Sequence, residues 1–239
     1  LQKMKPFSTK QEKEIVAEGE LLSTQMFEAY LQEEGVSSSL LPALDFMLID
    51  SDNEPVLKFT EQKLGEILAG MPEKQIFITQ GFICRNPRGE VDNLKRGGSD
   101  YTASLIGGAI VAEEIQIWTD IDGMHNNDPR IVKKTFPIKE LTFEEAAELA
   151  YFGAKILHPS TITPAKMKGV PVRLKNTMEP AAFGTLIANK TSDREIKAIA
   201  AKDNLTAIYI HSTRMLNAYG FLRKVFEVFE NYKTPVDMI

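Results

Sequence analysis

The chain has 239 residues, enough for one large domain or for one domain and part of another. Hydrophobic residues at 43% and charged residues at 26% suit a chain that buries a real core, and with mean hydropathy −0.18 no apolar run approaches the ~18–20 residues that cross a bilayer. A net charge of −5 argues against nucleic acid held by broad electrostatics; the one cysteine, Cys84, excludes an internal disulfide and a Cys-rich zinc site, so a reducing, cytoplasmic enzyme fits best.

The chain opens Leu1-Gln2-Lys3-Met4-Lys5-Pro6-Phe7, with no initiator methionine and no signal-peptide pattern. It closes on Thr234-Pro235-Val236-Asp237-Met238-Ile239, which reads as the first half of a strand; both ends are expected to be cuts. From 12 to 34, Ile15, Leu22, Met26 and Tyr30 recur at helical spacing and Gly35 stands where a C-cap would. Gly19 interrupts that helix at roughly 1 kcal/mol relative to Ala, a cost tolerable where something must approach the backbone near Glu20. Residues 40–49 read as a loop entering a strand, and 60–69 as a short amphipathic helix ended by Gly70 and Pro72.

Gln75-Ile76-Phe77-Ile78-Thr79 is a buried-strand run ending at Gln80-Gly81-Phe82, followed by a loop bearing Arg85, Arg88 and Gly89. Gly97-Gly98-Ser99 opens a small-residue helix over 100–112, and Ile115-Gln116-Ile117-Trp118 is the next strand. Thr142-Phe143-Glu144-Glu145 is a capping box that starts a helix over 143–152, which Gly153 would end. Val170-Pro171-Val172-Arg173-Leu174 is another strand. This rhythm predicts an α/β chain, a largely parallel sheet with helices on both faces. Polar residues 189–195 form a linker between residues 1–189 and a second part, 195–239. There, 206–210 reads as a strand and 221–232 as an amphipathic helix with Phe221, Leu222, Val225, Phe226 and Phe229 on one side, the opening of a small α+β module.

Three segments carry chemistry. In Arg96-Gly97-Gly98-Ser99-Asp100-Tyr101, two glycines before a helix suit a phosphate or carboxylate at its positive end, and Arg96 adds a planar fork for a carboxylate. The same residues also make an ordinary tight turn with an N-cap. Trp118-Thr119-Asp120-Ile121-Asp122-Gly123 and Asn127-Asp128-Pro129-Arg130 place polar groups just past a buried strand, where open α/β sheets bind ligands, or form a polar hairpin. In Phe152-Gly153-Ala154-Lys155-Ile156-Leu157-His158-Pro159, Lys155 could reach a nucleotide or serve as a solvated C-cap charge.

Taken in order, and followed by Pro171-Val172-Arg173-Leu174-Lys175-Asn176-Thr177 and Gly184-Thr185, these motifs closely resemble aspartokinase, from about Gly19 to the C-terminus. The resemblance implies the amino-acid-kinase fold and phosphorylation of the side-chain carboxylate of L-aspartate by ATP with Mg²⁺. The product is 4-phospho-L-aspartate, the first step of lysine, threonine and methionine biosynthesis. It also implies that the second part begins an ACT regulatory module. In the full-length parent that module would sense lysine or threonine and support a homodimer or larger assembly. By position, Glu20 of Gly19-Glu20-Leu21-Leu22-Ser23 would hold the substrate α-amino group. Arg96 would grip the α-carboxylate with help from Ser99, Gly97 and Gly98 would admit the backbone, and Asp100 would order the catalytic lysine. Thr119, Asp120, Arg130, Lys155 and Ile156 would line the nucleotide.

A carboxylate is already ionised at pH 7 and needs no general base, in keeping with the absence of a His–Asp pair from the matching segments. His125, His158 and His211 lack metal-ligand spacing and read as structural, and no protein metal site is expected. Two departures stand out: His125 occupies a position where many family members have Tyr, and the family's N-terminal Lys-Phe-Gly-Gly segment has no counterpart. Lys58-Phe59-Thr60 lacks the glycines and follows Glu20, so the 239 residues alone are expected to show little kinase activity. A sibling kinase of glutamate or N-acetylglutamate and a regulatory amino-acid-binding chain are the alternatives.

Overall fold

The computed structural model describes residues 7–95, 97–152, 159–190, 196–201, 203, 205–212, 219–236 and 238–239. The chain divides into two units, Leu1–Lys202 and Asp203–Ile239.

Helix α1 (Thr9–Glu33) begins at a reciprocal cap: Ser8 Oγ accepts from the Gln11 N–H at 3.3 Å, and the Gln11 side chain accepts from the Ser8 N–H at 3.0 Å. The apolar residues that mark this helix in the sequence do not face the core. Ile15, Leu22, Met26 and Tyr30 are 54%, 56%, 73% and 54% exposed, whereas Ala17 and Glu28 are buried. The reason is chemical. The inward face meets β1 (Ser38–Leu41), and there Glu28 accepts from Ser38 Oγ at 3.3 Å and from Gln32 Nε2 at 2.7 Å.

Strands β1 and β2 (Ile76–Thr79) pair in parallel, joined by α2 (Leu57–Ala69), the long crossover that parallel strands require. The segment expected to be a loop entering a strand at 40–49 is instead the end of β1, a 3₁₀ turn at Ala43–Asp45 and two isolated bridges, Leu48 to Arg85 and Ile49 to Pro55. Phe46, Met47 and Ile49 are at most 1% exposed, and each contributes about 1.5–3 kcal/mol by burial.

The predicted loop bearing Arg85 and Arg88 is a hairpin of β3 (Ile83–Arg85) and β4 (Val91–Asn93). Asn86 makes the turn, its Oδ1 accepting from the N–H groups of Arg88 at 2.9 Å and Glu90 at 3.0 Å. Cys84 on β3 is fully buried, and burial pushes its thiol up to about 12.

Beyond α3 (Gly98–Ala109) lie β5 (Ile115–Thr119), β6 (Glu140–Thr142), α4 (Phe143–Phe152), α5 (Thr163–Lys168), β7 (Val172–Asn176) and β8 (Thr185–Ala188). The strands form one sheet in the order β5-β7-β8-β6, parallel at β5·β7 and β6·β8 and antiparallel at β7·β8. The α/β reading therefore holds, with parallel strand pairs dominating. The capping box forms as predicted: Thr142 Oγ1 accepts from the Glu145 N–H at 3.1 Å, and Glu145 accepts from the Thr142 N–H at 2.7 Å. Gly153 and the linker residues 191–195 lie outside the described residues. Past them, the Lys197 ammonium, with only 9% of its side chain exposed, meets Glu145 at 2.8 Å. Burial pushes the Glu145 carboxyl up, but Lys197 and Thr142 outweigh it and hold the group below its ordinary value.

The second unit contains α6 (Phe221–Asn231), in which Phe226 and Phe229 pack 6.5 Å apart. Residues 206–210 form no strand, contrary to expectation. A strand exists by pairing, and no other described strand in this unit offers an edge.

Candidate active site

The site forms where the chain leaves β2 and enters α3. Gly97 caps α3 in the left-handed region, at φ 72°, and makes no side-chain cap bond. Gly98 is buried. A Cβ there would lie 2.7 Å from Phe82 Cδ2 and 3.1 Å from Phe82 Cα, so only hydrogen fits. Phe82 itself holds a positive φ of 69°, uncommon for a bulky residue. Its N–H donates to Thr102 Oγ1 at 3.0 Å, and that hydroxyl donates to the Gly98 carbonyl at 2.8 Å. The loop after β2 is thereby fastened to the first turn of α3, whose dipole favours an anion.

Ser99 is exposed on that turn, and its Cα and Cβ lie 3.0 Å from where a Gly81 Cβ would stand. Asp100 is half-buried, and burial holds its carboxyl above its ordinary value. The structure thus brings Gly97, Gly98, Ser99 and Asp100 together at one helix end. Arg96 lies outside the described residues. Glu20 is half-buried on α1, one turn before Thr24, whose hydroxyl donates to the Glu20 carbonyl at 2.8 Å.

A second group of residues follows β5. Gly107 of α3 packs against Ile115 so closely that a Cβ would meet its side chain at 2.2 Å. From Gly98 to Gly107 the helix rises about 13 Å, and β5, packed on α3, spans roughly the same length and ends at Thr119. Thr119 Oγ1 accepts from the Ile121 N–H at 3.2 Å, and Asp120 is exposed.

The loop beyond is held by His125, whose ring nitrogens contact Asp122 Oδ1 at 2.6 Å and Thr135 Oγ1 at 2.8 Å. Both contacts are in keeping with a structural role for His125, and they correct one expectation: a His–Asp pair does form within the matching segments, where it fastens the loop. Arg130 is engaged by Asp128: Nε bonds Oδ1 at 2.9 Å and a terminal nitrogen bonds Oδ2 at 2.5 Å. This contact holds the Arg130 guanidinium above its ordinary value. To meet a nucleotide, Arg130 must leave or share that carboxylate. Lys155, Ile156 and His158 lie outside the described residues.

Elsewhere, a cavity of about 410 Å³ at the α1 N-terminus presents Lys10, Lys13 and Arg88, but each cation is paired, to Glu90, Asp92 and Glu90 respectively. It offers an anion less than the open α3 terminus does. Among the described residues no group of three or more His, Cys, Asp or Glu is placed to hold a metal ion, and no helix is long and apolar enough to cross a membrane.

Known proteins share this arrangement. Aspartokinase 1, chloroplastic, of Arabidopsis thaliana is 41% identical over 245 residues, covering 99% of this chain and 43% of its own length. Lysine-sensitive aspartokinase 3 of Escherichia coli (strain K12) is 38% identical over 230 residues, covering 95% of this chain and 51% of its own. The crystal structure of E. coli aspartokinase III in complex with aspartate and ADP (R-state) superposes with a TM-score of 0.82 at 35% identity, over 97% of this chain and 53% of that one. The chain spans about half the length of the relatives it matches. Residues 3–176 match the profile described as Amino acid kinase family, and that stretch contains α1, the β2–α3 junction and the end of β5. The chain belongs to the amino acid kinase family.

Proposed function

We propose that the protein carrying this sequence is an aspartate kinase, transferring the γ-phosphoryl of ATP to the side-chain carboxylate of L-aspartate. The observation that carries the reading is the α3 N-terminus, where half-buried Gly97 and exposed Ser99 flank the buried Gly98 beside the β2 exit, in a chain that matches aspartokinases over nearly its whole length. Arg96 and Ser99 hold the substrate α-carboxylate at the positive helix end. Glu20 supplies the opposite charge for the α-amino group. Thr119, Asp120 and Arg130 receive the nucleotide past β5, and the motif resemblance assigns Lys155 and Ile156 to the same nucleotide.

The reaction is chiefly a matter of placement and charge. The substrate carboxylate arrives ionised and attacks in line, so no side chain has to remove a proton. Asp100 sits beside the path of transfer. Burial alone raises its proton affinity, and a lysine ammonium placed against it restores the ionised form. Mg²⁺ bound with the nucleotide supplies neutralisation of the phosphate charge. Such an ion commonly takes one or two protein carboxylates with phosphate and water, and the exposed Asp120 at the β5 end is of the right kind.

Residues 195–239 are assigned as the beginning of an ACT-like regulatory module, with lysine or threonine as effector and assembly into a homodimer or larger oligomer. The E. coli relative is named lysine-sensitive, which favours lysine. The test is ADP release by the protein with its native flanking sequence, measured with aspartate, glutamate and N-acetylglutamate and with hydroxylamine trapping of the acyl phosphate. Aspartate-dependent turnover is expected. Turnover only with another acid would replace aspartate as the substrate.

A further inference from the structure

We infer that Gln80 is a positioning residue that sets the spacing between the two ends of the amino-acid site, Glu20 and Ser99; this rests on the aspartate-kinase reading. Gln80 is the first residue past β2 and is 1% exposed. Its Oε1 accepts from the Ala43 N–H at 2.8 Å, and its Nε2 donates to Thr24 Oγ1 at 2.7 Å. The Thr24 hydroxyl has one proton, which it shares between the carbonyls of Glu20 at 2.8 Å and Leu21 at 3.1 Å. A relay therefore runs from the Gln80 amide through the Thr24 hydroxyl to the backbone of Glu20. Ala43 is also fully buried, so its N–H has no water to turn to.

The backbone of the same segment registers the other half of the site. The next residue, Gly81, lies against Ser99, and Phe82 is bonded to Thr102 in α3. Glu20, expected at the substrate amino group, and Ser99, expected at its carboxylate, thus take their positions from neighbouring atoms of one short segment. The geometry selects glutamine. One end must accept from a backbone N–H and the other must donate to a hydroxyl; asparagine is one methylene too short, methionine has no donor and only a weak acceptor, and glutamate cannot donate when ionised.

The experiment measures KM for aspartate, KM for ATP, kcat and melting temperature in Gln80→Met, Thr24→Val and Thr24→Ser, in the protein with its native flanking sequence. Removing a hydrogen bond in a buried network changes an equilibrium by about tenfold. Gln80→Met and Thr24→Val are each expected to raise the aspartate KM about tenfold, with the ATP KM within about twofold of wild type. The double variant is expected to be no worse than the weaker single one, because both cut one relay. Thr24→Ser, which keeps the hydroxyl, is expected to restore the wild-type value. Thr24→Val leaves the Ala43 contact intact and keeps the test open should Gln80→Met fold poorly. A folded Thr24→Val protein with an unchanged aspartate KM would overturn the positioning role alone. A wild-type protein that neither binds aspartate by calorimetry nor turns it over would overturn the functional reading beneath it.

Discussion

Replacing Gly98 with alanine adds one methyl group at the most crowded point of the candidate site. Gly98 has no positive φ, so alanine meets no backbone penalty there, and the effect is steric. The new Cβ would lie 2.7 Å from Phe82 Cδ2, 3.1 Å from Phe82 Cα and 3.3 Å from Leu94 Cβ. The ring can rotate, but the Phe82 backbone is held by Thr102 and already lies at φ 69°. Overpacking of this kind costs about 1–3 kcal/mol. Alanine in a helix recovers about 0.5–1 kcal/mol over glycine, less at the first position. The net loss is about 1–2 kcal/mol, a fall in melting temperature of about 2–8 °C for a chain of this size.

Gly65, mid-way along α2, is the matched control, because nothing lies within 4 Å of its added Cβ. Gly65→Ala is expected to stabilise by about 0.5–1 kcal/mol, so the same substitution takes opposite signs at the two positions. Differential scanning calorimetry of both variants and aspartate titration of Gly98→Ala measure the two consequences, the second expected to show weakened binding. A Gly98→Ala protein as stable as wild type, with unaltered aspartate affinity, would refute the close packing of Phe82 on α3.

Asp100→Asn is expected to hold or raise the melting temperature while lowering kcat about tenfold or more, because burial disfavours the ionised carboxyl that the proposed reaction uses. The sign follows from linkage. A folded-state value above the unfolded one makes Asp100 less favourable to folding as pH rises through that interval, and calorimetry at several pH values would show a flatter profile in the variant. Glu145 behaves in the opposite way. Its folded-state value lies below the ordinary one, so its contribution is full above about pH 5 and is lost as acid titrates it. Glu145→Gln should cost about 1–2 kcal/mol at pH 7, between exposed and buried pairs, and should flatten the acid limb of the stability curve. Trp118, the single tryptophan, is 43% exposed with the Lys175 ammonium 4.9 Å from its ring centroid and stands next to Thr119. Its fluorescence is expected to change on adding ADP; a spectrum unmoved at saturation would place the nucleotide elsewhere.

The legible parts of the fold are those whose cause is local. The Thr142–Glu145 box is contained in four residues, and α4 begins where it predicts. Strands β3, β4 and β6 have three residues each, too few for any period; β3 and β4 exist by pairing with each other across the Asn86 turn, and β6 by pairing with β8 far along the chain. Helix α1 was legible as a helix but not in its orientation. Periodicity weighs apolar side chains, whereas its inward face is Ala17, Thr24 and Glu28, chosen for a small volume and two hydrogen bonds. Among site residues, Gly97 through Asp100 form a contiguous motif and emerge together. Gln80 carries no sequence signal, since a glutamine after a strand is commonplace until Thr24 and Ala43 are seen beside it. Arg130 is legible as a cation of the loop proposed to meet the nucleotide, but its engagement by Asp128 is not.

The relay through Gln80 also bears on how the molecule folds. Its two bonds join residues 37 and 56 positions apart, and the Phe82–Thr102 bond spans 20 more. The first two cannot form until the β1–β2 crossover has closed, nor the third until α3 has docked, so the site is assembled from non-local contacts, the slow kind. A chain still emerging in synthesis has no partial version of this site before α3 is complete. A ligand that bridges α1 and α3 would then bind only the finished unit, adding about 2.7 kcal/mol of stability at a hundred times its dissociation constant. Substrate would in that case act as the last element of the fold.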